Sequence, residues 1–336
     1  MTALRDRVHG AVLGQAIGDA LGAPTEGMTR DAIRAAHGRV TGFLSDDPAG
    51  TDDTEYAAFT ARILLTYGPA LTPDDVSTEW IRVLAGQHGA FNRGGFSEIE
   101  AIHNLSRGLR APHSGSDNHE MWSDGSAMRV APIGAYFAGD PAEAARIAGI
   151  DAQVSHARDG VLCGQAVAAA VAAATTTDDW QAVVAAGVTA IAADSWSARM
   201  INRALTVAAG PGTSEERLDE LERRVSIFHY PWADVAPEAT ALAFGVFAIA
   251  EGDYVDSVLG GVNIGRDADT IAAMAGAMAG GLHGASAIPT EWSSRIVALR
   301  GSCIQDTAGV RLTALADEIA DAVEARDAAT RNGDPR

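Results

Sequence analysis

Apolar positions along the chain recur at helical spacing far more often than at the spacing of strands. Leu4, Val8 and Val12, followed by the run from Gln15 to Leu21, fit a first helix that Gly22 and Pro24 bring to an end. In "TEYAAFTARILLTYG" the side chains of Tyr56, Phe59, Ile63 and Tyr67 share one face. Near the C-terminus, Leu312, Leu315, Ile319 and Val323 repeat with Asp and Glu between them. Three runs are apolar all round: "GQAVAAAVAAAT", "ATALAFGVFAIA" and "TIAAMAGAMAGG". A helix with no polar face is buried among other helices. Glycine in a helix is about 1 kcal/mol worse than alanine, so its repeated use there speaks for close packing rather than local preference. Period-two alternation of Val, Ile, Thr and aromatics is scarce. The pattern predicts one compact all-α domain over residues 1–326, with 327–336 as a disordered tail. Between the helices, "FNRGGFSEIEAIHNLSRGLRAPHSGSDNHEMWSDGS" is dense in turn formers and predicts a long loop with a short helix inside it.

Composition narrows the class. The 336 residues are 47% hydrophobic, which suits a core-forming chain, and the net charge is −19. Such a surface lacks the basic footprint of a nucleic-acid binder and repels anionic membranes. All 25 basic residues are arginine, so a lysine Schiff base and a P-loop lysine are excluded. Cys163 and Cys303 are far apart, match no CxxC pattern and read as buried, reduced thiols. The N-terminus lacks the apolar core of a signal peptide, and the Ala-rich runs fall short of the roughly 18 apolar residues a spanning helix needs. A soluble cytoplasmic protein is expected.

The chemistry concentrates in two stretches of one design. "GTDDTEYAAF" carries Thr51, Asp52, Asp53 and Thr54; "GRDADTIAAM" carries Asp267, Asp269 and Thr270. Each sets hard oxygen ligands directly before an apolar helix. Alone, either stretch reads most simply as an N-cap. A cap, however, needs one side-chain oxygen, not two carboxylates and a hydroxyl. Four carboxylates meeting in a helix-lined interior repel one another unless protonated or neutralised, and a divalent cation is the simplest remedy. Adjacent Asp52 and Asp53 cannot readily reach one ion but can serve two. Glu26, on the constrained turn "GAPTEG", is a third acidic element. EF-hand spacing, HExxH and Cys/His zinc patterns are absent from the sequence.

Taken in order, "GAVLGQAIGDALGAPTEGM", "GTDDTEYA", "DGSAMRVAPIG", "SHARDGVLCGQAVAAAVAAA" and "GRDADTIAAMAGAMAGGLHG" resemble the motifs of the ADP-ribosylglycohydrolases over nearly the whole chain. The resemblance implies a compact orthogonal helical bundle with a central two-metal site holding Mg²⁺ or Mn²⁺. It implies Thr51, Asp52, Asp53, Asp267, Asp269 and Thr270 as ligands, and Glu26 or Asp53 as the base that positions or deprotonates water. The substrate implied is a ribosyl or ADP-ribosyl group, on a small molecule or a modified protein, cleaved at the anomeric carbon. Asp124, Gly125 and Ser126 fall in the segment that faces the phosphates in relatives. His156 matches the histidine that lines the substrate cleft; a satisfied buried histidine is the competing reading. The aromatics Trp122, Tyr136 and Trp232 serve either to stack on a base or as core.

Two residues depart from the family pattern. Asp124 stands where asparagine is usual, and a carboxylate there repels a diphosphate. Arg266 stands where a small residue is usual, either pairing with a carboxylate such as Asp124 or binding an anionic group of the substrate. These departures keep two other functions in view: hydrolysis of a small ribosyl or nucleoside-like metabolite without a diphosphate, and a non-catalytic binding or structural role. The full set of ligand residues argues against the last.

Overall fold

Helix α1 (Ala3–Gly22) ends at the glycine its sequence predicts, and Thr2 caps its start by accepting the N–H of Arg5. The computed structural model describes residues 2–87 and 94–331. After α1 come α2 (Arg30–His37), α3 (Asp52–Tyr67), α4 (Pro73–Trp80) and α5 (Phe96–Ser106), then the short α6 (His113–Ser116), α7 (Gly125–Arg129) and α8 (Ala131–Tyr136). The second half holds α9 (Pro141–Ala152), α10 (Asp159–Ala174), α11 (Trp180–Thr189), α12 (Trp196–Ala208), α13 (Ser214–Val225), α14 (Ala236–Ile249), α15 (Tyr254–Ile264) and α16 (Ala268–His283). A single turn, α17 (Thr290–Ser293), precedes α18 (Leu312–Arg331). Among the described residues there is no sheet, only three isolated β-bridges. The all-α expectation therefore holds.

The three all-apolar runs became α10, α14 and α16, and every residue of α14 is buried. Leu312, Leu315, Ile319 and Val323 are buried along α18. That helix continues to Arg331, into the stretch expected as a tail, while residues 332–336 lie outside the described residues. The expected long loop is more helical than its turn formers suggested, since α5, α6 and the start of α7 fall within it; its first residues, 91–93, lie outside the described residues. Both cysteines are buried, and burial pushes the Cys163 thiol up to about 12. Among the described residues no helix is long and apolar enough to cross a membrane.

The glycines explain how the centre is built. A Cβ on Gly10 would lie 2.0 Å from the carbonyl oxygen of Gly280, one on Gly14 2.3 Å from that of Gly276, and one on Gly18 2.2 Å from that of Ala272. A Cβ on Gly22 would lie 2.4 Å from the carbonyl oxygen of Ala268. Real Cβ atoms do not come so close, so α1 and α16 touch backbone to backbone along four successive turns. The partner numbers run in opposite order, so the helices are antiparallel. The C-terminal end of α1 thus meets the N-terminal end of α16, which brings Asp19 and the Glu26 turn beside Asp267, Asp269 and Thr270.

Candidate active site and metal centre

At this meeting point the two acidic stretches prove not to be caps. Thr51 occupies the N-cap position of α3 and Asp267 that of α16, yet neither side chain accepts from its own helix backbone. The N-terminus of α3 is satisfied instead from α1. Asp19, fully buried, accepts the Thr51 N–H at 2.8 Å, the Thr51 hydroxyl at 2.8 Å, the Thr54 N–H at 3.1 Å and the Thr54 hydroxyl. A carboxylate borrowed from another helix does the capping, and Asp52 and Asp53 are left to face inward.

These residues open onto a cavity of about 700 Å³, whose wall includes Glu26, Thr51, Asp52, Asp53, Asp124, Gly125, Asp267, Asp269 and Thr270. Glu26, Asp267 and Asp269 each offer a carboxylate oxygen, and those atoms all lie within 4.8 Å of one another. Thr270 donates to Asp53 Oδ1 at 3.3 Å, whereas Asp53 Oδ2 and Asp269 Oδ1 are buried with no hydrogen-bond partner. Buried carboxylate oxygens without donors are costly and rare.

The electrostatics match. Burial, then the charge of Asp269, raises Asp53 well above the usual carboxylate range. Burial with Asp124 and burial with Asp267 do the same for Asp267 and Asp269 respectively. Burial, then Asp19 and Glu98, pushes Asp52 up to about 8. Asp19 rises to about 6 through burial, partly offset by its four hydrogen bonds. Glu26 stands on an exposed turn, but its carboxyl sinks into the cavity and desolvation raises it. Carboxylates so crowded must either hold protons or share a cation. Thr51, Asp52, Asp53, Asp267, Asp269 and Thr270, with Glu26 beside them, form an all-oxygen donor set that fits hard divalent ions.

The sequence reading missed three carboxylates of this region: Asp19, Glu98 and Asp234. The first had a signal, an acid inside the apolar run "AIGDALG". The other two had none, because only the fold carries them to the wall. Glu98 accepts from Arg129 Nη1 at 3.0 Å and from Ser97 Oγ at 2.6 Å. Gly125 admits it, since a Cβ there would lie 2.1 Å from Glu98 Oε1. Asp234 accepts the Asp124 N–H on its backbone carbonyl at 3.0 Å, and burial pushes its own carboxyl up to about 6.

Three expected site residues stand back from the wall. His156 is fully enclosed: Nε2 lies 3.1 Å from both Ser97 Oγ and Ser123 Oγ, and Nδ1 lies 2.8 Å from Ser155 Oγ. Burial and the nearby Arg129 guanidinium lower its pKa well below the ordinary value, so it is neutral. The satisfied-histidine reading is the one the geometry matches. Ser126 donates to the Gly160 carbonyl behind the wall. Arg266 pairs with Glu238, not with Asp124: Nε donates to Glu238 Oε1 at 2.5 Å and Nη2 to the Trp232 carbonyl at 3.1 Å. Of the candidate stacking aromatics, Tyr136 is core and Trp122 packs edge-on against Tyr230 at 5.4 Å. Only Trp232 reaches the mouth; it is 53% exposed and meets Phe96 edge to face at 5.2 Å.

A profile described as ADP-ribosylglycohydrolase matches residues 1–329. The chain is 32% identical over 300 residues to an uncharacterized protein of Archaeoglobus fulgidus, covering 86% of this chain and 91% of that one. It is 25% identical over 308 residues to the ADP-ribosyl-(dinitrogen reductase) glycohydrolase of Rhodospirillum rubrum, covering 87% and 91%. It is 28% identical over 302 residues to an ADP-ribosylarginine hydrolase of Pseudomonas putida, covering 87% and 74%. A solved structure described as an ADP-ribosylglycohydrolase-related protein complex shares the fold, with a TM-score of 0.68 at 23% identity over 96% of this chain and 100% of that chain.

Proposed function

The chain belongs to the ADP-ribosylglycohydrolase family, and on that premise we propose that its acidic cavity hydrolyses the bond at the anomeric carbon of an ADP-ribosyl group. The observation that carries this reading is the convergence of Glu26, Asp267 and Asp269, with the partnerless oxygens Asp53 Oδ2 and Asp269 Oδ1 beside them, on one cavity wall.

Thr51, Asp52, Asp53, Asp267, Asp269 and Thr270 would hold two divalent cations, Mg²⁺ or Mn²⁺. Bound there, such ions neutralise the carboxylates, bind vicinal ribose hydroxyls and lower the pKa of water. The chain's own contribution is positional. Asp19 holds the Thr51 to Thr54 turn in place, and the α1–α16 contact fixes it against Asp269. Glu26 enters from the open side, and desolvation raises its carboxyl above the ordinary value, which strengthens it as a base. It takes a proton from the attacking water, the oxygen of that water joins the anomeric carbon as the bond from that carbon to the leaving group breaks, and the proton held by Glu26 passes to the departing group. Trp232, at the mouth, offers its face to a planar part of the substrate.

A second reading keeps the site and shortens the substrate to a ribosyl or nucleoside-like metabolite. Asp124 and Asp234 on the wall favour it, as does the cationic side: among the described lining residues only Arg300 is basic, and it pairs with Asp47 at 2.8 Å. One experiment separates the readings. The protein, loaded with Mn²⁺ or treated with EDTA, is offered ADP-ribosylarginine and simple N-ribosides, and free ADP-ribose is titrated by calorimetry. Metal-dependent release of ADP-ribose together with ADP-ribose binding is expected. Release of ribose alone, without ADP-ribose binding, selects the second reading; inertness toward every substrate removes both.

A further inference from the structure

Arg266 combines three features that no catalytic role requires. Its backbone is left-handed, with φ of 61°, a conformation that favours glycine. Its N–H donates to the Met28 carbonyl and its carbonyl accepts the Gly27 N–H, both at 2.7 Å, so this one residue is stitched to the turn that carries Glu26. Its side chain turns the other way, into the segment 226–235 that joins α13 to α14 and crosses the cavity mouth.

Ring contacts anchor part of that segment, Tyr230 against Trp122 at 5.4 Å and Trp232 against Phe96 at 5.2 Å. Arg266 holds the Trp232 carbonyl at 3.1 Å and lies over the Phe228 ring, 5.7 Å from its centre. Glu238, fully buried at the start of α14, accepts from Arg266 with both oxygens, from Nε on Oε1 at 2.5 Å and from Nη2 on Oε2 at 3.3 Å, and Oε2 also accepts the Ile227 N–H at 3.0 Å. One guanidinium and one carboxylate thus fasten the segment at Ile227, Phe228 and Trp232. Its far end is tied by Asp234 to Asp124. The fork shape of the guanidinium is needed, because it serves Glu238 and a carbonyl at once. Trp232 and Phe228 are both more than half exposed, so packing buries neither ring.

We propose that Arg266 and Glu238 are positioning residues that set the aromatic mouth of the site, and so control substrate binding without touching the reacting atoms. The inference rests on the functional reading above only for the ligand that fills the mouth. It also accounts for an arginine where the backbone prefers glycine: the contacts of the side chain offset the strain of the left-handed conformation.

The test uses Arg266→Gly combined with Glu238→Gln in the full chain. Glycine accepts the left-handed backbone, so the tie to the Glu26 turn survives. Glutamine removes the buried charge that Arg266→Gly alone would strand. We expect this variant to fold and to keep its Mn²⁺-induced thermal shift, with kcat close to wild type. KM for ADP-ribosylarginine and Kd for ADP-ribose should rise about tenfold. Acrylamide quenching of tryptophan fluorescence should increase, and that increase should vanish when Trp232→Phe is added. Arg266→Lys, which cannot serve both partners, should lie between. Wild-type KM, Kd and quenching in the double variant would overturn the proposal. So would loss of the thermal shift with kcat falling and KM unchanged, which would place the pair behind the metal cage instead. If the wild-type protein binds no ADP-ribose, the functional reading fails, and the quenching comparison still decides whether the pair holds the mouth.

Discussion

Asp269 carries a buried oxygen that meets no donor, beside Asp53, Asp267 and Glu26, whose charges repel it. Such a residue costs the metal-free fold and, on the proposed function, serves the metal site. Asp269→Asn is therefore expected to raise the metal-free melting temperature while abolishing both turnover and the Mn²⁺-induced shift; a lower melting temperature with the shift intact would contradict the metal role. Glu26 differs, since it stands on an exposed turn and reaches the cavity from its open side. Glu26→Gln should leave stability within about 0.5 kcal/mol and reduce kcat by about 10²–10⁴-fold, as single-turnover rates would show. At this scale the sequence was a good guide to residue type, since paired acids before an apolar run are legible in one dimension. It was a poor guide to partners. Whether Asp267 capped its helix or Arg266 met Asp124 depended on side-chain directions that spacing does not encode.

The helices were legible where their pattern was complete. The ends of α1 and the buried faces of α3 and α18 follow from 3.6-residue periodicity, and the all-apolar runs announced the central helices. The segment 91–126, expected as a long loop with a short helix inside, holds more helix than that because turn formers such as Ser114 and Gly115 were packed into α6 by their neighbours, with Gly115 held against the backbone of Gln153 and His156. The sharpest consequence at this scale concerns the α1–α16 contact. Gly14→Ala gains about 1 kcal/mol of helix propensity. It also drives a Cβ to within 2.3 Å of a backbone oxygen that no side-chain rotation can move. Overpacking wins: a net loss of about 3 kcal/mol or more is expected in denaturant titration, with weaker Mn²⁺ binding because Asp19 and Asp269 are displaced together. A neutral or stabilising outcome would mean that the two helices do not touch as described.

For the molecule as a whole, the crowded carboxylates tie stability to pH. Asp19 and Asp234 are pushed to about 6 and Asp52 to about 8, burial being the main cause each time. An acid whose folded-state pKa is raised binds its proton more tightly in the fold. Its contribution is complete below its unfolded value, about 4, and is lost as pH climbs through the folded value. The metal-free protein should therefore melt at progressively lower temperature from about pH 5 to about pH 8. Mn²⁺ should reverse the loss, with a larger shift at higher pH as it displaces fewer protons. Melting curves with EDTA and with Mn²⁺ across that range test both; a metal-free profile that rises with pH would contradict the burial of these groups. By itself the sequence determined the all-α class, the apolar core helices and the identity of the acidic motifs, because periodicity and residue chemistry are local properties. Only the tertiary structure decided that Asp19 caps α3 from another helix, that Glu98 and Asp234 join the wall, and that Arg266 clasps Glu238. Each of these joins residues far apart in the chain, and it is the antiparallel backbone contact of α1 and α16 and the packing around it that bring them within reach.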